Sequence, residues 1–426
     1  MEDARQAACG SCGRYGGTIE PCQEDGLEAA YHAAVLRALD RLGRQPGRPR
    51  ALEPFESLFR DGWRVEELER GDRPVVGILC NFVPEELVVA AGAVPLRLDL
   101  GQQQAMEVGA RRLPVDVCPE IKSVVGAHVA GMPLYRLAKL LVVPTSCDGR
   151  KKLAGLLGGR RVVPLELPQG KRDRRVRALW VERIRELVRE VEGLTGRKLK
   201  RGPLRAAVAL TNRRSALVRR LNALRWKDPH ALSGRDTFLV LQASFLADVA
   251  WWVQKTEALL AELEARSAPS GGGAEPTRVL LTGSPIYFPD FQLLHVVEEA
   301  GAVVIADELC SGTERLYHPT VTDEGTVDGL VRAAAERTLL PCTCPCFVSS
   351  DDRIARLLEL ARQSGARGLV HHTLHLCQLY DLELPTVAAA LKGAALPLLN
   401  VYTEYSEEDS GVLQNRVEAF LEMLAQ

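Results

Sequence analysis

Short apolar runs recurring between amphipathic stretches leave this chain few folds to choose from. From Pro74 onward PVVGILC, AVPLRL, LLVVPT and RVVPLEL are almost continuously apolar over a few residues, as strands buried on both faces are, and helical patterns lie between them. The pattern returns after residue 276, where RVLLTGSP, AVVIADEL, RGLVHHTL and PLLNVY alternate with the helical stretches QLLHVVEEAG, DDRIARLLELARQSGA and LQNRVEAFLEML. Strands alternating with helices predict parallel sheets covered by helices. The expected fold is α/β, with two flavodoxin-like parallel-sheet domains joined by a helical segment. Its expected divisions are a Cys-rich tail and lead-in helix over 1–50, a first α/β domain over 51–171 and a helical bridge over 172–266. A flexible Gly/Ser/Pro linker over 267–276 and a second α/β domain over 277–426 complete it.

Composition removes several function classes. Lys plus Arg number 54 against 55 Asp plus Glu, so no global excess of charge marks a nucleic-acid binder or a polybasic membrane protein. A hydrophobic fraction of 46% over 426 residues suits a folded chain of two or three domains. No apolar stretch is long enough to span a bilayer, and MEDARQAACGSCGRYGG lacks the basic start and apolar run of a secretory signal. The expected compartment is cytoplasmic, and the expected partners are small molecules or other proteins.

The 11 cysteines are the chemical clue, because where thiols stay reduced they serve as metal ligands or redox groups more often than as disulfides. Cys80 follows VVGIL, Cys118 opens the helix PEIKSVVGAHVAG, and Cys147 follows LLVVPTS. Cys310 ends AVVIADEL, Cys377 follows GLVHHTLHL, and PCTCPC carries Cys342, Cys344 and Cys346 before a helix. The carboxyl ends of strands are where open α/β sheets bind ligands. Several soft thiolates in one cleft suit an iron-sulfur cluster. A free Cys is also a common small buried hydrophobe, and that reading holds for any one of them alone. In the tail, Cys9-x-x-Cys12 with Cys22 resembles part of a zinc knuckle, but no fourth ligand follows at the usual spacing, which favours incidental cysteines.

On these segments the chain resembles the family of benzoyl-CoA reductase and (R)-2-hydroxyacyl-CoA dehydratase subunits, and within it the double-cubane cluster proteins. The resemblance runs over about residues 74–426, through GILCNFVPEELVVAAGAVPLRL, CPEIKSVVGAHVAG, LLVVPTSCDGRKKLAGLL, LLTGSPIYFP, ADELCSGTERLY, PCTCPCFVSSDDRIARLLEL, GLVHHTLHLCQLYDLE and VYTEYSEEDSGVLQNRVEAFLEML. It implies six ligating cysteines, three for each of two 4Fe-4S cubanes joined by a sulfide in an 8Fe-9S cluster, in a homodimer. Carried over by position, these are Cys80, Cys118, Cys147, Cys310, Cys346 and Cys377, with Cys344 as the substitute for Cys346. Thr403-Glu404-Tyr405, Val412-Leu413-Gln414-Asn415-Arg416, a longer loop after Cys310 and the extra Cys342 depart from the family pattern. These departures bear on the substrate pocket.

The resemblance further implies electrons from an ATP-dependent 4Fe-4S reductase, and no GxxxxGK[ST] loop occurs here to bind ATP. The substrate would be a small molecule or an acyl-CoA. The same-family alternative is a dehydratase or aryl-CoA reductase subunit with one 4Fe-4S cluster; an alternative of another class is a metal-binding or assembly factor without turnover. His371, His372, His375, Tyr287, Glu404 and Tyr405 are candidates to stand behind the ligands, although hydrogen-bonded core histidines are the simpler reading. Glu85 and Glu86 read as acids favoured by a helix dipole, and Lys122 and Arg150-Lys151-Lys152 as solvated surface or a docking patch.

Overall fold

The computed structural model describes residues 17–22, 26–266, 275–406 and 410–426. Cys9, Cys12 and most of the expected linker fall outside them. Two sheets of four strands each form as the apolar runs predict. The first contains β1 (Val75–Ile78), β2 (Val94–Arg97), β3 (Ala138–Pro144) and β4 (Arg161–Leu165) in the order β2-β1-β3-β4. The second contains β5 (Thr277–Gly283), β6 (Ala302–Asp307), β7 (Gly368–Leu374) and β8 (Leu398–Thr403) in the order β6-β5-β7-β8. Every pairing is parallel. The chain leaves the first strand of each sheet in one direction and returns on its other side, so a crevice opens between β1 and β3, and another between β5 and β7.

Both faces of each sheet are covered. Val76, Ile78, Leu140 and Val142 meet Trp180, Ile184 and Leu187 of the helix Arg174–Thr195, while Leu79, Leu141 and Val143 pack with Val124 and Val125 of the helix Pro119–Val129. In the second sheet Val279, Leu281 and Val370 face Phe238, Trp252 and Val417, and Leu280, Val303 and Leu369 face Leu357 and Leu391. The expected bridge is therefore no free-standing spacer. Its helix Arg201–Lys227 is 27 residues long, about 40 Å. Leu204 and Val208 enter the core of the first sheet, whereas Leu217, Val218 and Leu221 enter that of the second.

Two glycines fix where Cys118 stands. A Cβ on Gly126 would lie 1.8 Å from the Ala105 carbonyl oxygen, and one on Gly109 would lie 1.9 Å from that of Lys122. The helices Gln103–Ala110 and Pro119–Val129 thus touch backbone to backbone, and Cys118 is the residue before the second of them. Gly126→Ala should push them apart and cost about 1–3 kcal/mol, the usual penalty of overpacking. Chemical denaturation measures it, and an unchanged midpoint would show that the helices yield without strain.

Buried histidines make the fold acid-sensitive. Burial is the leading cause that lowers His128, His318 and His372 to about 4, and His295 and His371 to about 3, from an ordinary 6.5. An unfolded chain takes up these protons near pH 6.5 whereas the native one resists until pH 3–4, so stability is full above about 6.5 and falls as the pH drops. Thermal midpoints should fall from pH 7 to 5, the five histidines outweighing Glu314, which burial raises to about 8 and which works the other way; a flat profile there would contradict the burial.

Candidate iron-sulfur site between the two halves

The expected thiols stand just beyond strand ends, three of them at strands that flank the crevices. Cys80 and Cys147 follow β1 and β3, Cys310 follows β6, and Cys377 follows β7. Cys80 and Leu376 have positive φ, 79° and 64°, although neither is glycine. Such backbone is costly for an L side chain and gathers at functional sites. The Cys80 N–H donates to Asp99 Oδ2 at 2.7 Å, which holds that conformation, and Cys80 Sγ lies 3.7 Å from Ser146 Oγ beside Cys147.

Charge coupling among the thiols crosses from one half to the other. Burial, then the Glu120 carboxylate, pushes the Cys118 thiol up to about 12, and the sulfurs of Cys377 and Cys147 add to the rise. Burial raises Cys377 to about 11, with Glu120 and Cys147 contributing. Burial likewise lifts Cys80 to about 11, opposed by Arg150 and reinforced by Cys344. Cys310 is raised well above its ordinary value by burial; Arg97 opposes this, and Cys80 and Cys344 reinforce it. Two groups of sulfurs emerge, Cys118 with Cys147 and Cys377, and Cys80 with Cys310 and the Cys342, Cys344 and Cys346 loop, and Cys344 also acts on Cys147. Each group draws on both halves.

The first group borders open space. A cavity of about 1450 Å³ is lined by Cys118, Cys147, Cys346 and Cys377, with Lys151 and Lys152 among its walls. In the PCTCPC loop the Cys346 thiol donates to the Cys344 sulfur, which lowers Cys344. Cys342 is buried among the apolar residues of the first core. The loop is gripped from the first half: Lys171 Nζ donates to the carbonyls of Leu340 at 2.9 Å and Cys342 at 2.5 Å, and Val348 N–H donates to Gln169 O at 3.0 Å.

Behind the sulfurs lies a buried charge network that sequence reasoning did not assemble. Arg97 Nε donates to Asp99 at 2.6 Å, and Arg150 Nη2 reaches Asp99 at 2.7 Å and Glu120 at 2.6 Å. Tyr287, from the second half, donates to Glu120 at 2.6 Å. Burial raises the Asp99 carboxyl, but the two guanidiniums and the Cys80 N–H outweigh it and hold it below the usual range. The Arg150-Lys151-Lys152 run, expected to be solvated, therefore splits: Arg150 is buried, while the two lysines are exposed. Arg97 and Asp99 left a signal, charges embedded in the apolar run PLRLDL. Lys122 does stand at the surface, donating to the Val115 carbonyl at 2.8 Å.

Glu85 and Glu86 correct a second expectation. Both do stand in the first turn of the helix Glu85–Ala90, but they are buried and paired with arginines, not solvated. Glu85 pairs with Arg214 at 2.8 Å and with Arg315, and Glu86 pairs with Arg337 at 2.9 Å and accepts from Thr320 at 2.8 Å. They tie the helix Glu85–Ala90, just beyond Cys80, to the second half.

The other candidates separate. His372 is engaged on both ring nitrogens, by Ser284 O and by Thr403 Oγ1 at 2.6 Å. His371 meets Asn400 Oδ1 at 3.1 Å, and its buried Nε2 has no hydrogen-bond partner. His375 lies past the strand end, exposed and stacked on Tyr402. Tyr405 is buried with an unpartnered hydroxyl, and Glu404 is half-buried next to it.

Among the described residues no three His, Cys, Asp or Glu side chains form a group that could hold one metal ion. A polynuclear cluster asks for something different, because each thiolate binds its own iron and the sulfurs need not converge on one point. The donor set fits that demand. It is all thiol, it is enclosed by two halves, and N–H groups point at it, the Arg150 amide lying 3.4 Å from Cys147 Sγ.

Comparison with known proteins places the chain in a family. The family model described as 2-hydroxyglutaryl-CoA dehydratase, D-component, matches residues 80–424. The YjiM protein of Escherichia coli (strain K12), provisionally named a dehydratase subunit, is 31% identical over 88% of this chain and 98% of its own length. A benzoyl-CoA reductase subunit of Thauera aromatica is 23% identical over 80% of this chain and 88% of its own. The beta subunit of (R)-2-hydroxyglutaryl-CoA dehydratase of Acidaminococcus fermentans is 23% identical over 83% and 93%. With two parallel sheets whose cysteine-bearing ends face one another and a family match over most of its length, the chain belongs to the 2-hydroxyacyl-CoA dehydratase and benzoyl-CoA reductase subunit family.

Proposed function

We propose that this protein is the cluster-bearing component of a reductase and carries an 8Fe-9S double cubane. Cys80, Cys118, Cys147, Cys310, Cys377 and one sulfur of the PCTCPC loop would hold it. The observation that carries the reading is that candidate thiols of both halves gather in one place: Cys118, Cys147, Cys346 and Cys377 line one cavity, while Cys80 and Cys310 are both held by the Arg97–Asp99 pair. Within the loop, Cys346 borders the cavity, and both Cys344 and Cys346 interact with Cys80, so either sulfur is placed to complete an inner set with Cys80 and Cys310. Such a cluster supplies low-potential electrons to a bound molecule.

The chain's own residues would do the remaining work. Arg97 and Arg150 place positive charge beside the sulfurs, and around the inner set Cys80 is buried while Cys310 and Cys344 are half-buried. The cavity beside Cys118 and Cys377 would receive a small molecule or an acyl-CoA, for which Lys151 and Lys152 offer cations at the wall. Electrons would come from a separate ATP-dependent 4Fe-4S reductase, and the working form would be a cytoplasmic homodimer.

A second reading has its own support in the relatives named as dehydratase and reductase subunits: one 4Fe-4S cluster in a chain that pairs with a different subunit. Iron and acid-labile sulfide, counted per chain on anaerobically purified protein with zinc alongside, separate the two. About eight irons are expected for the double cubane and about four for the single cluster. Zinc without iron, after failed anaerobic reconstitution, would sink both and leave a binding factor.

A further inference from the structure

One arginine of the first half reaches a candidate ligand of the second. Arg97 closes β2, and its Nη1 donates to the Cys310 carbonyl at 2.6 Å and to Asn81 Oδ1 at 2.7 Å. Its Nη2 lies 3.9 Å from Cys310 Sγ and 3.4 Å from the Tyr287 hydroxyl. Its Nε holds Asp99, the same carboxylate that accepts the Cys80 N–H. The guanidinium stacks 4.6 Å from the centre of the Phe245 ring, and its side chain is 1% exposed. It is fixed on every edge, and two of its contacts lead to sulfur-bearing loops from different halves.

Resting on the cluster reading above, we propose that Arg97 is a positioning residue that sets the reduction potential of the inner sulfur set. A guanidinium N–H directed at a ligand sulfur, with a full positive charge close by, favours the form of a cluster carrying the extra electron. Through Asp99 the same side chain holds the left-handed backbone of Cys80, so the geometry of one sulfur and the charge environment of the other share one origin. The buried Asp99 would not be left bare by its loss, because Arg150 also binds it.

The test is a potentiometric titration of anaerobically reconstituted protein followed by electron paramagnetic resonance, on wild type, Arg97→Met and Arg97→Lys, with iron counted in each. Arg97→Met should keep its iron and show a more negative midpoint. At a fixed potential its ratio of reduced to oxidised cluster should fall about tenfold, which is about 59 mV for one electron. Arg97→Lys keeps a charge but loses the planar fork, and should recover part of the shift. A measurement without dependence on the Met variant's folding uses wild type grown with arginine labelled with 15N in the guanidinium alone, because the Arg150 amide also lies 3.4 Å from Cys147 Sγ: nitrogen hyperfine coupling to the reduced cluster is expected there and should fall in Arg97→Lys. An unchanged midpoint in iron-loaded Arg97→Met, or no arginine coupling in wild type, overturns this inference while the cluster reading stands. A wild type that takes up no iron overturns both.

Discussion

Glu86→Ala should destabilise the native protein by about 3–5 kcal/mol, because it leaves a guanidinium buried without its counter-charge. Glu86 is fully buried, its carboxylate spans Arg337 and Thr320, and those two residues belong to the second half while Glu86 sits six residues beyond Cys80. Burial raises the carboxyl, yet Arg337, backbone N–H and Thr320 together outweigh it and hold it low. A lowered carboxyl contributes stability that is whole above its ordinary value near 4.5 and is lost as the pH falls through the native one. The deficit of the variant should therefore be full at neutral pH and shrink under acid. Denaturant titration at both pH values measures it. A cost below about 1 kcal/mol at pH 7 would mean that water reaches Arg337 and that the pair does not join the halves. Glu86→Gln, which keeps the shape and one acceptor, should fall between.

The same pair shows where sequence reading stops. Apolar runs gave away all eight strands, including the partly buried edge strands β4 and β8, and the strand ends then located Cys80, Cys147, Cys310 and Cys377. Partners far apart in the chain leave no local pattern. Glu86 meets Arg337 across 251 residues, and Tyr287 meets Glu120 across 167. In the sequence both acids look like first-turn helix residues, and only packing turns them into ties. Arg150 was hidden for a related reason: its neighbours Lys151 and Lys152 are exposed, and one turn of helix separates a buried face from a wet one. The helical stretch 172–266 was legible as helices but not as cover for two cores, because amphipathicity names a buried face without naming what buries it.

Replacing single cysteines should produce the largest change in composition. Under the double-cubane reading, Cys147→Ala removes a sulfur from the cavity-facing set and Cys310→Ala removes one from the inner set, so both should lose iron, falling from about eight per chain to about four or fewer. Under a single-cluster reading only one set matters, and one of the two variants should keep its full complement. Cys342→Ala is the internal control. That thiol lies outside the six ligands the resemblance implies, and its removal should leave the iron unchanged while costing a little stability. The comparison of Cys344→Ala with Cys346→Ala then decides the loop: the variant that loses iron names the ligand, both sulfurs being coupled to Cys80. Full iron in both Cys147→Ala and Cys310→Ala would refute the ligand set altogether, whatever the family has in common, because the two halves would then hold their thiols together for packing alone.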